Sequence, residues 1–481
     1  MGGSAFTTGR SHPLLTPRMP KDVYDTVKAR CHAVLREHYL CVASPIDGPG
    51  KKDFGDVDIL LAWPLRPSAS KHEAFNTIAE VLKATDTIMD KGKELSGHLA
   101  LPWPRELYPA PDSVQPGALD VNSYCDPHLT PDNLDDALHA RHHPPSGESA
   151  SQSRSDDTLT TPGNQTFTAD QHLENKDEEL FIQVDVRVCD SLEYFQWMLF
   201  KHAHGDMWNL LGTTIRPYGL SVDERSLWLR IPEIEAFNRN RAKVFLTSDP
   251  VEILQFLGLP IENFWTDTFE DLDAMYEYVA RCRLFWVKPL DPETDGAATG
   301  LEQDRKKLKA NDRKRMNQRP GFRKWVEEFK PRCRAEGRFL IQPTNREQVT
   351  QEAFDWFHIQ REFEARRLEF LLERNKEMIW TNVIKGSIPD ANASNQREMM
   401  YRSCLVKALK RVILEGDARY GVLPEGSLMD EDGFYVTEDV VKFITLHQDT
   451  IGRVAMDINQ AGFEKHKKKK AAKESGQRLE L

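Results

Sequence analysis

The sequence predicts an α/β fold in which a mixed sheet with flanking helices is followed by a mainly helical C-terminal region. Two distant stretches, 54–61 and 181–188, are rich in the apolar and β-branched residues of buried strands. Apolar residues recur at near-helical spacing over 21–40 and 71–100. Beyond residue 260 the apolar pattern is almost wholly helical.

Composition divides the chain into four parts. Its 481 residues suffice for two or three domains. Residues 105–178 are rich in Pro, Ser, Thr, Asp and His, and such a segment buries too little apolar surface to offset the entropy lost on ordering. We expect a disordered start at 1–20, an α/β domain at 21–260 that contains this acidic and mostly disordered insertion, a helical region at 261–460, and a basic, disordered tail at 461–481.

Charge and cysteine content restrict the class of protein. The formal net charge is −11, but residues 106–180 hold 15 acidic and 3 basic residues, a net of −12, so the remainder sums to +1. The acidic balance therefore does not exclude a nucleic-acid partner. No stretch of 18 apolar residues occurs, so we expect no membrane span. Seven cysteines without a C-x-x-C pair indicate reduced thiols, and hence an intracellular protein of the nucleus or cytoplasm. Residues 1–20 contain Arg10 and Arg18 but no acidic residue, which leaves a mitochondrial presequence as an open alternative.

Three carboxylates are expected to meet on one face of the sheet. Alternate residues of a strand share a face, so Asp56 and Asp58 point the same way, as do Gln183, Asp185 and Arg187. If the two strands pair, roughly 4.8 Å apart, the three Asp side chains converge. Like charges repel unless cations lie among them, and two Mg²⁺ or Mn²⁺ ions about 3.5–4 Å apart would offset the repulsion. The alternative is a surface turn at Asp56 and Asp58, with Asp185 an incidental charge on an edge strand.

Three motifs, taken in their order along the chain, resemble those of a known family. They are Gly55-Asp56-Val57-Asp58-Ile59-Leu60-Leu61, Val184-Asp185-Val186-Arg187-Val188 and Gly205-Asp206-Met207-Trp208-Asn209. They look like the nucleotidyltransferase superfamily and, within it, the palm of the family X (beta-like) DNA polymerases. The resemblance covers residues 40–65 and 180–232. It implies transfer of a nucleoside monophosphate from an NTP or dNTP to an acceptor hydroxyl of DNA or RNA, with release of pyrophosphate.

The resemblance also implies a role for each carboxylate. Asp56 and Asp58 would bridge both metal ions, and Asp185 would complete the ion nearer the acceptor and favour deprotonation of its hydroxyl. Arg187 would orient a carboxylate. Only 20 residues precede the first predicted helix, so we expect the upstream domains of those polymerases to be missing.

The nucleotide is expected between two loops. In the family a Gly-Ser pair at a helix start binds the triphosphate, whereas here Ala43 precedes Ser44 and prolines and glycines follow. Lys51 and Lys52 could supply the positive charge instead. For Asp206 a helix N-cap is an equal alternative, since that role needs only a carboxylate near free N–H groups. The full set of expected nucleotide-binding residues is Ser44, Lys51, Lys52, Gly55, Gly205, Asp206 and Asn209.

A basic stretch in the C-terminal region is expected to contact a polynucleotide. Residues 305–338 hold 14 basic and four acidic residues, with Phe322 and Trp325 among them. Such a patch binds phosphates through counterion release, although a solvated helix face is the simpler alternative. A later run of lysines at 465–470 is compatible with nuclear import or with a loose nucleic-acid arm. The residues that we expect to contact nucleic acid are Arg313, Lys314, Arg315, Arg319, Arg323 and Lys324.

Two further functions remain open from the sequence. The altered phosphate loop favours a catalytically inactive fold that serves as a nucleic-acid-binding or scaffold module. Retention of three carboxylates disfavours it, because a binding module has no need of converging like charges. The other alternative is a transferase that modifies a protein or a small metabolite. The sequence identifies no protein partner.

Overall fold

The computed structural model describes residues 3–7, 11–92, 94–107, 179–262, 264–289, 308 and 310–477, with side chains described as far as residue 470. The predicted insertion at 105–178 and the start of the basic stretch therefore lie mostly outside the described residues. The ten strands are β1 Met19–Pro20, β2 Tyr39–Ala43, β3 Asp53–Phe54, β4 Asp56–Pro64, β5 Asp86–Met89, β6 Leu95–Pro102, β7 Phe181–Cys189, β8 Leu220–Val222, β9 Leu227–Arg230 and β10 Lys243–Thr247.

Helices flank these strands and predominate in the described chain beyond β10. The first seven are α1 Lys21–Leu35, α2 Lys71–Val81, α3 Leu192–His202, α4 Met207–Ile215, α5 Pro232–Glu235, α6 Pro250–Phe256 and α7 Leu272–Ala280. The later ones are α8 Ala310–Gln318, α9 Pro320–Lys324, α10 Lys330–Ala335, α11 Arg346–Phe357, α12 Gln360–Met378, α13 Gln396–Glu415 and α14 Thr437–Gln477. Two π-helical turns, Trp325–Phe329 and Ile379–Ile384, follow α9 and α12 directly.

A five-stranded mixed sheet forms the centre of the α/β part, in the order β2-β4-β7-β6-β5. β4 and β7 run parallel, and the other neighbours run antiparallel. This sheet, its flanking helices and the helical C-terminal region confirm the predicted fold class. A separate three-stranded sheet, β10-β9-β8, follows α4.

The two faces of β4 explain where the site can form. Val57, Ile59 and Leu61 are buried in a core with residues of α1 and α2. On the opposite face, the later residues Leu60 and Ala62 belong to a second core that includes α3. The start of this second face carries Asp56 and Asp58. The helix thus covers the apolar half of the face and leaves the acidic half for a site.

The stretch 71–100, which the sequence predicts to be helical, contains one helix and two strands. α2 ends at Val81, and Lys83 has a positive φ of 57°, which breaks the helix. β5 and β6 follow, and β6 pairs along its whole length with β7. Apolar residues at helical spacing continue past the end of α2, but they include β-branched residues, which favour strands. Pairing of β6 with β7 explains why this part of the chain forms strands.

Both predicted disordered ends differ from expectation in the residues that the structure describes. Within 1–20, Phe6 and Met19 are fully buried, and Met19 pairs with Phe54. In the tail, α14 continues through residue 477, although residues 457–470 are all exposed. Burial of Phe6 and Met19 explains the structure of the N-terminal residues. In the tail, lysine and alanine are strong helix formers, which explains a helix that is fully exposed.

The apolar cores do not divide at residue 260, where the sequence places a domain boundary. One core joins α3, α4 and β8–β10 to Phe322, Trp325 and Phe370 of the later helices. A separate core occupies residues 379–455. α12 and its π-helical turn contribute to both, and Arg366 of α12 donates to the carbonyls of Arg241 (2.8 Å) and Lys243 (2.6 Å). None of the described helices is long and apolar enough to cross a membrane.

Candidate active site

The parallel pairing of β4 and β7 brings the three predicted carboxylates onto one face. Asp58 and Asp185 are direct partners in the register of the two strands. Asp56 lies two residues earlier on the same face, opposite Gln183. The next strand, β6, places His98 beside Asp185. The site is therefore built across three adjacent strands.

Electrostatic repulsion is visible in the pKa values of the two β4 carboxyls. Protein surrounds Asp58 at the floor of an open cleft, where solvent still reaches it. This partial loss of hydration and the charges of Asp56 and Asp185 raise the pKa of Asp58 to about 7. Burial and the charge of Asp185 also raise the pKa of Asp56. The Lys51 ammonium opposes both shifts. The two groups thus carry charge that the chain itself compensates only in part.

Hydrogen bonds hold the other carboxylate oxygens. Oδ1 of Asp185 accepts from Nε2 of Gln183 at 2.8 Å and lies 2.8 Å from Nδ1 of His98, a contact that raises the pKa of His98. Asp56 accepts a hydrogen bond from the backbone N–H of Gly3. Among the described residues, no three His, Cys, Asp or Glu side chains converge closely enough to hold one metal ion.

The donor set nevertheless suits a divalent cation. Carboxylate oxygens are the ligands that Mg²⁺ and Mn²⁺ prefer. The raised pKa values of Asp56 and Asp58 show a position where added positive charge would be favourable. Such an ion would compete with Gly3 for Asp56, and with Gln183 and His98 for Asp185.

Arg187 shares the face of Asp185 but turns to other partners. Its Nη1 lies 3.2 Å from Glu94 Oε2 and 3.2 Å from Tyr194 Oη. Tyr194 in turn donates to the same Glu94 oxygen at 2.6 Å. These contacts tie β7 to the start of β6 and to α3, and the orienting role implied for Arg187 remains a prediction.

The N-terminal segment 3–7 covers the Asp56 end of the site. Gly3 has a φ of +88°, and a Cβ there would lie 2.2 Å from the carbonyl oxygen of Gly55, so only glycine fits. The N–H of Ala5 donates to Oε1 of Gln183 at 3.0 Å. Gln183 therefore bridges this segment to Asp185. The sequence offered no motif that predicts this cover.

A cleft of about 500 Å³ opens beside Asp58. Its walls are the loop 45–53, the turn 202–206 and residues 318–321. The loop and the turn meet at Gly48 and Gly205, where a Cβ on Gly205 would lie 3.1 Å from Cα of Gly48. Lys51 and Lys52 are exposed on the cleft wall. The cleft thus offers positive charge next to the carboxylates, which suits an anionic ligand.

The predicted nucleotide-binding residues are only partly brought together. Lys51, Lys52, Gly205 and Asp206 line the cleft. Ser44 instead supports β4 from behind, because its hydroxyl donates to the backbone carbonyl of Asp58 at 2.5 Å and lies 2.9 Å from Nε2 of His32. The expected residues that do not belong to the cleft lining are Ser44, Gly55 and Asn209.

Asp206 stands at the N-cap position of α4, but its carboxylate does not cap that helix. Oδ1 accepts from Nδ2 of Asn209 at 3.2 Å and from the guanidinium of Arg319. The backbone position thus fits the N-cap alternative, whereas the side chain is directed to other groups. Arg319 lines the cleft with Asp206.

The basic stretch divides between the cleft and the surface. Arg319 belongs to the cleft wall, and Arg315 pairs with the buried Asp312 at 2.7 Å. Phe322 and Trp325 are buried, so the aromatic side chains of this stretch form core and cannot stack on bases. The remaining predicted contacts, all exposed, are Arg313, Lys314, Arg323 and Lys324.

A smaller cavity of about 120 Å³ lies on the other side of Asp58. Asp185, His98, Ser96 and Asp90 line it. Ser96 donates to Asp90 at 2.6 Å, and Nε2 of His98 lies 3.8 Å from the same carboxylate. Sequence reasoning missed His98, although the alternation of Ser96 and His98 with apolar residues was the signal of a strand.

Comparison with known proteins gives a distant likeness only. No family model and no curated protein matches the chain. Two solved structures of Leishmania infantum polymerase beta, a ternary P/T complex and a ternary gap complex, are 12% and 13% identical to it and each covers 52% of it. The match spans 77% and 71% of those chains, with a TM-score of 0.28 in both cases.

Proposed function

We propose that the protein is a nucleotidyltransferase that moves a nucleoside monophosphate from an NTP or dNTP to an acceptor hydroxyl. The observation that carries the proposal is the placement of Asp56, Asp58 and Asp185 on one face, next to a cleft lined by Lys51 and Lys52. Like charges that converge beside a basic cleft are costly to keep and suit phosphoryl chemistry.

In this reaction the acceptor oxygen bonds to the α-phosphorus, and the bond from that phosphorus to the bridging oxygen breaks. Pyrophosphate leaves, and the hydroxyl proton passes to a carboxylate oxygen of Asp185. Lys51 and Lys52 would bind the triphosphate, while Asp206 and Arg319 would line the remainder of the nucleotide site. Divalent Mg²⁺ or Mn²⁺ bound by Asp56, Asp58 and Asp185 would supply positive charge to the phosphates and acidify the acceptor hydroxyl.

The acceptor that we propose is the 3′ end of DNA or RNA. The exposed cations Arg313, Lys314, Arg323 and Lys324 support it, because phosphate backbones favour such surfaces. Arg313 and Lys314 lie in α8, just before Arg319, and Arg323 and Lys324 lie in α9, just after it. Arg319 itself lines the cleft.

A catalytically inactive binding module is the second candidate. It is favoured by the Gly3 hydrogen bond to Asp56 and by the hold of Gln183 and His98 on Asp185, which together leave no convergent metal site among the described residues. In that case the fold would bind nucleic acid without turnover.

Pyrophosphate release separates the two candidates. Each NTP and dNTP is offered with Mg²⁺ or Mn²⁺ and with DNA or RNA acceptors, to the wild type, to Asp185→Asn and to an Asp56→Ala/Asp58→Ala double variant. We expect release from the wild type and a loss of at least about 10³-fold in both variants. Equal release from all three proteins, or none from any despite nucleic-acid binding, would overturn the proposal.

A further inference from the structure

A second cavity, unrelated to the carboxylates, lies in the helical cluster at 379–455. It measures about 440 Å³ and opens between the π-helical turn Ile379–Ile384, the loop that follows it, and α13. Its apolar lining comes from Trp380, Met399 and Val406. This volume falls within the roughly 300–1,000 Å³ of pockets that hold small organic groups.

Two ammonium groups lie over the aromatic ring of this cavity, and a third lysine lines the cavity. Nζ of Lys385 lies 4.5 Å from the centroid of the Trp380 ring, and Nζ of Lys410 lies 5.2 Å from it. Lys407 lines the same cavity. None of these three lysines forms an ion pair with another residue that the structure describes. The cavity therefore carries uncompensated positive charge next to an aromatic ring.

The neighbouring arginine is committed to the fold. Arg402 donates to the backbone carbonyls of Pro389 (2.8 Å) and Ile388 (3.2 Å), and it pairs with Asp390 at 2.8 Å. Arg402 and Asp390 thus neutralise each other and fix the loop that forms one wall. Ligand charge would be met by the three lysines alone.

We propose that this cavity, the Trp380 site, binds one segment of single-stranded nucleic acid. A base has a flat π face that can stack on Trp380 when its flanking phosphates draw Lys385 and Lys410 off the ring. Stacking and backbone charge together are the two features by which single strands are bound without sequence preference. An acidic peptide would pair with the lysines but has no π face to stack on the ring.

The proposal extends the proposed function, because it gives a polynucleotide acceptor a second point of contact, but binding at the Trp380 site does not require transfer. α12 packs in the first core through Phe370, and the π-helical turn that follows α12 carries Trp380. The Trp380 site therefore lies beyond the C-terminal end of α12. A strand held there would be oriented by a helix that also contacts β10 through Arg366.

Binding of a fluorescein-labelled 20-nucleotide strand to the full chain tests the proposal by anisotropy across a salt series. Replacing all three lysines (Lys385→Gln, Lys407→Gln, Lys410→Gln) is expected to raise Kd at least about tenfold at low salt and to reduce the slope of log Kd against log salt by about 2. A matched triple variant of exposed lysines on other elements, Lys71→Gln, Lys83→Gln and Lys442→Gln, should leave both quantities unchanged.

The aromatic contribution is tested separately. Trp380→Phe should keep most of the affinity, and Trp380→Leu should lose it about tenfold or more, since only the aromatic ring stacks. Circular dichroism of each variant excludes unfolding as the cause.

Three results would overturn the proposal. They are wild-type binding by the lysine triple variant, equal affinity for Phe and Leu at position 380, and displacement of the strand by polyglutamate as effectively as by unlabelled oligonucleotide. A silent pyrophosphate assay combined with lysine-dependent binding would overturn the proposed function and leave the Trp380 site intact.

Discussion

Arg319 and Asp206 form an ion pair across 113 residues of chain, within the wall of the larger cleft. Asp206 begins α4 of the α/β part, and Arg319 stands between α8 and α9 of the helical part. The C-terminal region therefore completes the cleft beside the carboxylates. This pair connects two regions that the sequence places in different domains.

Replacing Arg319 should weaken nucleotide binding more than folding. In Arg319→Ala, Asp206 loses its cationic partner, and the cleft gains uncompensated negative charge near the expected phosphates. We expect KM for the nucleotide to rise about tenfold with kcat changed little. Because the Arg319 side chain is about half exposed, the free energy of unfolding should fall by only about 0–1 kcal/mol.

Arg332→Ala is the matched control for this change. Arg332 pairs with Asp273 at 3.0 Å, and its side chain is 40% exposed, close to the 47% of Arg319. Neither Arg332 nor Asp273 lines the cleft. KM should stay at the wild-type value. A comparable rise in KM for both variants would show that the effect is not local to the cleft.

Metal binding should strengthen as the pH rises through about 7. The folded-state pKa of Asp58 is raised from about 3.9 to about 7, so its proton stabilises the folded protein at low pH and this contribution is lost as the pH rises through 7. A cation must displace that proton, and below pH 7 its apparent affinity should fall by up to about tenfold per pH unit.

Thermal denaturation with and without Mn²⁺ from pH 5.5 to 8.5 measures this dependence. The rise in Tm caused by Mn²⁺ should grow with pH in the wild type. In Asp58→Asn the rise in Tm caused by Mn²⁺ should be small at every pH. Without metal, this variant should be more stable at pH 8 than the metal-free wild type. A Tm shift independent of pH in the wild type would contradict the assignment of Asp58 as a ligand.

His204 should make the protein sensitive to acid. Its ring is fully buried, Nε2 donates to the carbonyl of Phe264 at 2.9 Å, and burial lowers its pKa. The unfolded chain takes up a proton near pH 6.5 that the folded chain resists, so the free energy of unfolding should fall below that pH, by up to about 1.4 kcal/mol per pH unit.

Urea denaturation at pH 7.5 and pH 5 checks this expectation. His204→Gln keeps an N–H donor for Phe264 and cannot titrate, so it should lose less stability between the two pH values than the wild type does. His72→Gln on the exposed surface of α2 serves as the control. If both variants lose the same amount, His204 is not the acid-sensitive group.

A methyl group at Gly3 should displace the N-terminal segment. In Gly3→Ala the new Cβ would lie 2.2 Å from the Gly55 carbonyl oxygen, and the positive φ adds strain. We expect a loss of about 1–3 kcal/mol in unfolding free energy and faster hydrogen exchange of the Ala5 N–H. Gly337→Ala, which has a similar φ of +71° and open space around it, isolates the cost of strain alone. Equal losses in the two variants would mean that the contact with Gly55 is not tight.

The shared face of the carboxylates on each strand followed from the sequence because it depends on a local pattern. Alternation along a strand determines which residues share a face, and apolar composition marks both strands as buried. The parallel pairing of β4 with β7, which sets Asp58 opposite Asp185, is known from the structure alone.

The surroundings of the carboxylates could not be predicted, because they come from distant parts of the chain. His98 reaches Asp185 across 87 residues, from a strand within the stretch 71–100 that the sequence predicts to be helical. Gly3 and Ala5 act through backbone N–H groups, which leave no signature in the side-chain pattern. Composition marked residues 305–338 as basic but could not show that Arg319 alone of the predicted set lines the cleft.

The continuous helix formed by α12 and its π-helical turn joins the two cores. Phe370 is anchored in one core, and Trp380 stands ten residues further, about 15 Å along the axis. If both the cleft and the Trp380 site hold nucleic acid, as we propose, an oligonucleotide shorter than the gap between them can occupy only one site, whereas a longer one gains from both at once. The affinity of the protein for a strand would then rise in a step once the strand spans that gap.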